Sequence, residues 1–178
     1  MLAIGSLADN DSKSPKTSAR GKWQMAVPIQ HIIESVHDAS RKPERLSLLV
    51  GRPGSGKSKI LRDLAAMRGW KYVDARILIT DEILEMMPKA RPQQAPSIMS
   101  DALTALKGEV ILLDGIEILF TPVLNLDPMP LIKQLSRKHT LVVAWPGDYT
   151  EGKLVLDYNG RTHYCSIATE ELSVIAIN

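Results

Sequence analysis

Eight residues limit what this chain can fold into more than any others: Gly51-Arg52-Pro53-Gly54-Ser55-Gly56-Lys57-Ser58. They fill every fixed position of the pattern G-x-x-x-x-G-K-[ST]. At ordinary Gly and Lys frequencies, roughly one start in 30,000 would match by chance. The flanks agree with the pattern. Leu46–Val50 is an apolar run of strand length, and Ile60, Leu61, Leu64 and Met67 recur at helical spacing before Gly69, which is placed to close that helix. A strand, a glycine-rich loop and a helix start turn backbone amides toward one point. An anion belongs there. Gly51, Gly54 and Gly56 allow backbone angles and a close approach that a Cβ would block. Arg52, Pro53 and Ser55 complete the loop, and Lys59 adds a first-turn position to the phosphate-binding set. Lys57 offers a point charge to β- and γ-phosphates, and the Ser58 hydroxyl can ligate Mg²⁺.

A second element fits the first. Val110-Ile111-Leu112-Leu113-Asp114 is four apolar residues and an acid. The run buries a strand, and the carboxylate falls at its C-terminal end, where open α/β sheets hold ligands. Asp114 is therefore the second candidate metal residue beside Ser58. Glu117 supports two readings. It can orient an attacking water, although many P-loop ATPases carry that glutamate directly after the aspartate, where this chain has Gly115. It can equally be the distal half of a capping box with Asp114 as N-cap.

The rest of the chain reads as alternating strands and helices. Residues 1–22 are polar and lack apolar periodicity, which predicts a flexible tail, with an ordered domain over 23–178. Ile29, Ile32, Ile33 and Val36 mark an amphipathic helix with Pro28 in its first turn and with His31 and His37 on its polar side. Trp70–Val73 reads as a strand. Thr80 is placed to cap a short helix that ends near Pro88, and Lys89–Pro96 reads as a loop. Ile98 to Leu106 marks a helix. Asp127-Pro128 opens another, and Leu141–Trp145 is a strand. Lys153–Tyr158 and His163–Ile167 read as strands around Asn159-Gly160. Strand-helix alternation predicts an α/β fold: a parallel sheet sandwiched by helices, finished by a strand-rich C-terminus.

Composition excludes several classes. Hydrophobic residues make up 44% and charged residues 24%, ordinary values for a globular chain. One cysteine, Cys165, rules out an internal disulfide framework and is expected to be a buried small hydrophobe. The net charge of +2 lies entirely in residues 1–22, and the remaining chain balances 18 cations against 18 anions. The pI of 8.7 is thus no sign of a dedicated DNA-binding surface. No apolar run approaches a membrane span, and the N-terminus lacks the apolar core of a secretory signal, which sets the expectation of a cytoplasmic protein.

The pairing of GRPGSGKS with LLDGIEILF in a chain this short resembles BrxF, the small P-loop ATPase family of bacterial BREX phage-defence systems. The resemblance extends to ILITDEILEMMPKARPQQAPSIMSDAL and to LVLDYNGRTHYCSI, and covers most of residues 28–168. It implies an AAA-like P-loop NTPase core, ATP and Mg²⁺ as cofactors, and a bacterial cytoplasmic setting. It also implies other BREX-type proteins as partners, namely a larger ATPase, a DNA methyltransferase and an alkaline-phosphatase-like protein, with DNA reached only through them. On the matching residues, Gly51, Gly54, Gly56, Lys57 and Ser58 would bind nucleotide and Mg²⁺, and Asp114 would complete the metal site. Two departures from general AAA+ ATPases stand out. Leu141–Trp145 runs into Pro146-Gly147 without a polar sensor residue, and no C-terminal helical lid is expected.

Three functions compete. One is an ATPase coupling hydrolysis to conformational work in a defence assembly, slow alone and faster as a homo-oligomer in which Arg161 of a neighbour reaches the nucleotide. An exposed turn arginine is the plainer account of Arg161. The second is a small-molecule kinase of the adenylate-kinase kind, which Leu113-Asp114-Gly115 suggests but Ile116-Glu117 does not continue. The third is a nucleotide-gated binding subunit with little turnover of its own. ATP is favoured over GTP because no N-K-x-D-type motif is present.

Overall fold

A computed structural model describes residues 20–158, 160–167 and 172–177, with side chains from Ile29 onward. Two layers of helices enclose a five-stranded parallel sheet. In chain order the regular elements are α1 (Arg20–Ala39), β1 (Leu46–Gly51), α2 (Lys57–Arg68), β2 (Lys71–Asp74), α3 (Asp81–Glu85), α4 (Arg91–Ala105), β3 (Val110–Asp114), α5 (Pro128–Ser136) and β4 (Thr140–Pro146). A three-stranded antiparallel meander follows, β5 (Asp148–Thr150), β6 (Lys153–Tyr158) and β7 (Arg161–Ser166), and then β8 (Ser173–Ala176). The main sheet has the order β2-β3-β4-β1-β8.

The strands read as continuous apolar runs because both faces are covered. On one face Leu46, Leu48, Val50, Ile111, Leu113, Leu141, Val143 and Trp145 pack against α4, α5 and the turns after β2 and β3. On the other, Leu49, Leu112, Val142 and Ala144 meet Ile32 and Val36 of α1 and Leu61 and Leu64 of α2. Asp114 follows Val110 and Leu112 at period two, which puts its side chain on the α2 face of the sheet. Gly69 closes α2 in the left-handed region, φ 69°, with its amide on the Ala65 carbonyl at 2.9 Å, as the sequence predicts.

Several expectations need correction. Helix α1 begins at Arg20, so Pro28 lies well inside it rather than in its first turn, and the tail boundary at residue 22 falls within the helix. The remainder of the expected tail, residues 1–19, lies outside the described residues. The expected loop Lys89–Pro96 is a 3₁₀ turn, Pro88–Ala90, followed directly by α4. Pro92 suits the first turn of α4, where its missing N–H costs nothing. Pro96 forfeits one helical bond, and its ring is instead buried on the stripe shared by Arg91, Ala95, Met99 and Leu103. Thr80 has the extended backbone of an N-cap, yet its hydroxyl makes no capping bond and is buried without a partner among the described residues. Strands β5 and β8 were not anticipated individually. β8 joins the parallel sheet beside β1, pairing Ser47 with Ser173 and Val50 with Ala176. Ser35 of α1 holds that corner, its Oγ lying 2.8 Å from Ser47 Oγ and 2.6 Å from Ser173 Oγ.

Candidate nucleotide site

The C-terminal edge of the sheet gathers the candidate residues. β1 ends in Gly51, and the chain turns through the glycine loop into α2. Gly54 (φ 82°) and Gly56 (φ 93°) occupy left-handed backbone that other residues rarely adopt. Gly51 is needed for a different reason: an added Cβ would overlap the Ser55 hydroxyl and come within 3.0 Å of the Ile177 carbonyl. The first intrahelical bond of α2 runs from the Ile60 amide to Gly56 O at 3.0 Å. The amides of Lys57, Ser58 and Lys59 are therefore left at the helix start, where the positive end of the dipole also lies.

Lys57 does not stand open to solvent, as a helix-start lysine would be expected to. It is 7% exposed, and its ammonium donates to Gly51 O (2.5 Å), Arg52 O (2.9 Å) and Ser55 Oγ (3.3 Å). The loop's own oxygens solvate the charge. Burial pulls the Lys57 pKa down, and the charges of Glu117 and Asp114 oppose that shift. Lys59 points elsewhere, into an exposed pair with Asp63 one turn on (2.7 Å), so only its backbone can serve an anion in this arrangement. Arg52 Nε donates to both oxygens of Asp148 (2.9 and 3.0 Å), which ties the loop to the first strand of the meander. The Gly147 amide adds a bond to Gly51 O at 3.1 Å.

Strand, glycine loop, helix and a carboxylate at the end of β3 now stand on one edge of a parallel sheet. This is an α/β P-loop NTPase fold. The chain matches no protein-family model and no curated protein. Among solved structures it is similar to C. elegans PCH-2, at 16% identity and a TM-score of 0.38, over 88% of this chain and 40% of that one. It is also similar to the Aeropyrum pernix ORC2 protein in its ADPNP-ADP complexes, at 16% identity and a TM-score of 0.27, over 78% of this chain and 44% of that one. The chain therefore spans less than half the length of either. The fold assignment rests on this chain's own topology and loop.

Asp114 accepts two hydrogen bonds, from the Gly115 amide on Oδ1 (2.9 Å) and from the Tyr72 hydroxyl on Oδ2 (2.7 Å). It does not cap the following turn. The N-cap of the 3₁₀ segment Ile116–Phe120 is Gly115, in left-handed backbone at φ 67°, and no side chain caps it. The reciprocal bonds of a capping box are thus not formed among the described residues. Glu117 sits in the first turn of that segment, while Ile116 and Leu119 anchor it in the core. Sequence reasoning missed Tyr72, Asp74 and Arg76. Asp74 stands in register with Asp114 on the neighbouring strand, and its carboxyl is held below its ordinary pKa chiefly by hydrogen bonds from Arg76. Their signal was faint: K-Y-V-D is a strand ending in an acid, the same form as β3.

Arg161 opens β7, is exposed, and has no hydrogen bond or ion pair to the glycine loop among the described residues. Asn159, two residues before it, lies outside the described residues. Cys165 is half-buried rather than buried, and burial raises its thiol pKa. Among the described residues no helix is long and apolar enough to cross a membrane.

Proposed function

We propose that this chain is a Mg²⁺-dependent ATP-binding and ATP-hydrolysing P-loop subunit of a bacterial BREX-type defence assembly, passing its nucleotide state to partner proteins. The observation that carries the nucleotide part is the loop itself: all eight positions of the pattern, on strand, loop and helix, with the Lys57 ammonium buried on the loop's own oxygens. The donor set suits a magnesium nucleotide. Mg²⁺ prefers one or two oxygen ligands from protein, with phosphates and waters supplying the rest. Ser58 and Asp114 offer that number, and no cluster of three or more His, Cys, Asp or Glu residues fit for a metal occurs among the described residues.

In this reading Lys57 exchanges the Gly51 and Arg52 carbonyls for phosphate oxygens. The orphan amides of α2 and the loop hold the phosphate chain, and Glu117 orients the attacking water. Mg²⁺ would supply charge neutralisation at the phosphates, held by Ser58 and Asp114. Turnover alone is expected to be slow, because β4 ends in Trp145 and Pro146 where a polar group could otherwise meet the γ-phosphate. A second copy covering the site, with a residue such as Arg161, would raise it. The BREX partners and the cytoplasmic setting come from the family resemblance.

The kinase reading finds less support. It calls for arginines closing over the phosphates, but Arg52 is paired with Asp148, Arg76 with Asp74, and Arg91 is buried on the carbonyls of Ile83, Leu84 and Val123. ATP turnover measured across protein concentration, alone and with candidate partners, tests the proposal. Activity per molecule should rise with concentration or partner. Phosphate transfer to a small-molecule acceptor in place of water would overturn it.

A further inference from the structure

The Asp114 carboxylate is held by a side chain that no motif names. Tyr72 lies on β2 opposite Leu112 and two residues before the Asp74–Asp114 register pair, so its side chain shares the α2 face of the sheet with Asp114. Its hydroxyl donates to Asp114 Oδ2 at 2.7 Å, while the Gly115 amide fixes Oδ1. A carboxylate offers about four lone-pair sites. These two bonds use one site on each oxygen and leave one on each. The carboxylate is thus aimed before any cation arrives. Behind it stands Arg62, one helical turn from Ser58, with its guanidinium carbon 5.3 Å from the centre of the Tyr72 ring and Nη2 3.4 Å from the hydroxyl. A cation against the phenol oxygen polarises the O–H and strengthens its donation.

We propose that Tyr72, polarised by Arg62, is a positioning residue that sets the Mg²⁺ affinity of the nucleotide site by orienting Asp114. This rests on the reading of the site as one for a magnesium nucleotide. Groups that orient a metal ligand from behind commonly govern affinity by 10- to 100-fold. Phenylalanine at position 72 keeps the ring packed against α2 and removes only the donor.

The test is a titration of Mg²⁺ into the full chain with a fluorescent ATP analogue, reading nucleotide binding rather than turnover. The Mg²⁺ midpoint of Tyr72→Phe should rise about tenfold or more, while its metal-free nucleotide affinity stays within about twofold of wild type. Arg62→Met, on the exposed side of α2, should shift the midpoint in the same direction by a smaller factor. Asp114→Asn should remove the Mg²⁺ enhancement. If Asp114→Asn acts and Tyr72→Phe and Arg62→Met both follow the wild-type curve, the positioning role is overturned while the site reading stands. If wild type itself shows no Mg²⁺ enhancement, both fall together.

Discussion

Lys57 shows how one side chain can be a site residue and a structural one at once. Its ammonium bridges three oxygens of the loop it belongs to, and truncation leaves the buried Gly51 carbonyl its bond from the Gly147 amide and the Arg52 carbonyl on an exposed residue. Lys57→Ala should therefore fold. Glu117 gives a cleaner separation. Its capping bonds are not formed, so glutamine there has no cap to preserve. Glu117→Gln should bind ATP as wild type does and lose about 10²-fold or more in turnover, the scale of a lost acid–base group. Single-turnover hydrolysis beside equilibrium binding would check this, and near-wild-type turnover would remove Glu117 from the chemistry. His139 carries a pH dependence of its own. Burial lowers its pKa from 6.5, with a hydrogen bond at Ser100 opposing the shift. The unfolded chain therefore takes up the proton first as pH falls. The neutral ring's contribution is complete above about 6.5 and is lost as pH drops toward the lowered folded value. Chemical denaturation at stepped pH should show a shallower decline below 6.5 for His139→Gln than for wild type.

At the level of elements, much was legible where one local signal dominated. The loop and α2 could be read because glycines, an apolar period of 3.6 and a closing Gly69 all agree. β1, β3 and β4 were legible as short apolar runs. From Ile98 onward α4 is legible from its apolar spacing, but its first turns are not, because prolines break most helices and only the buried stripe shows that Pro92 and Pro96 are tolerated here. β8 was not separated from the strand-rich C-terminus because four residues with mixed burial carry almost no period; its place beside β1 is decided by long-range pairing. Tyr72 was invisible for a related reason, since its importance lies in what the next strand brings to it. The meander's seat on the loop is likewise tertiary. An added Cβ at Gly147 would overlap the Val155 carbonyl, and φ there is 125°. Gly147→Ala should therefore loosen the Gly147–Gly51 and Arg52–Asp148 contacts together. Faster amide exchange across the meander, with α4 and α5 unchanged, would report it.

For the whole molecule, the central sheet does two jobs with one geometry. Burying both faces supplies the stability, and leaving the C-terminal edge unburied brings the P-loop, Asp114 and Glu117 together. Leu112 sits at the middle of that arrangement, fully buried beneath α2 and two residues before Asp114. Leu112→Ala should cost about 2–5 kcal/mol in urea unfolding, the usual range for a buried leucine. The central claim is that this edge binds nucleotide through the loop. Equilibrium titration of wild type and Lys57→Ala with a fluorescent ATP analogue in excess Mg²⁺ tests it most directly. The account predicts saturable binding by wild type and a loss of about 100-fold or more in the variant, in line with removing a buried charge from a phosphate, with both proteins folded by circular dichroism. Equal affinity in the two proteins, or no binding by a folded wild type, would contradict it.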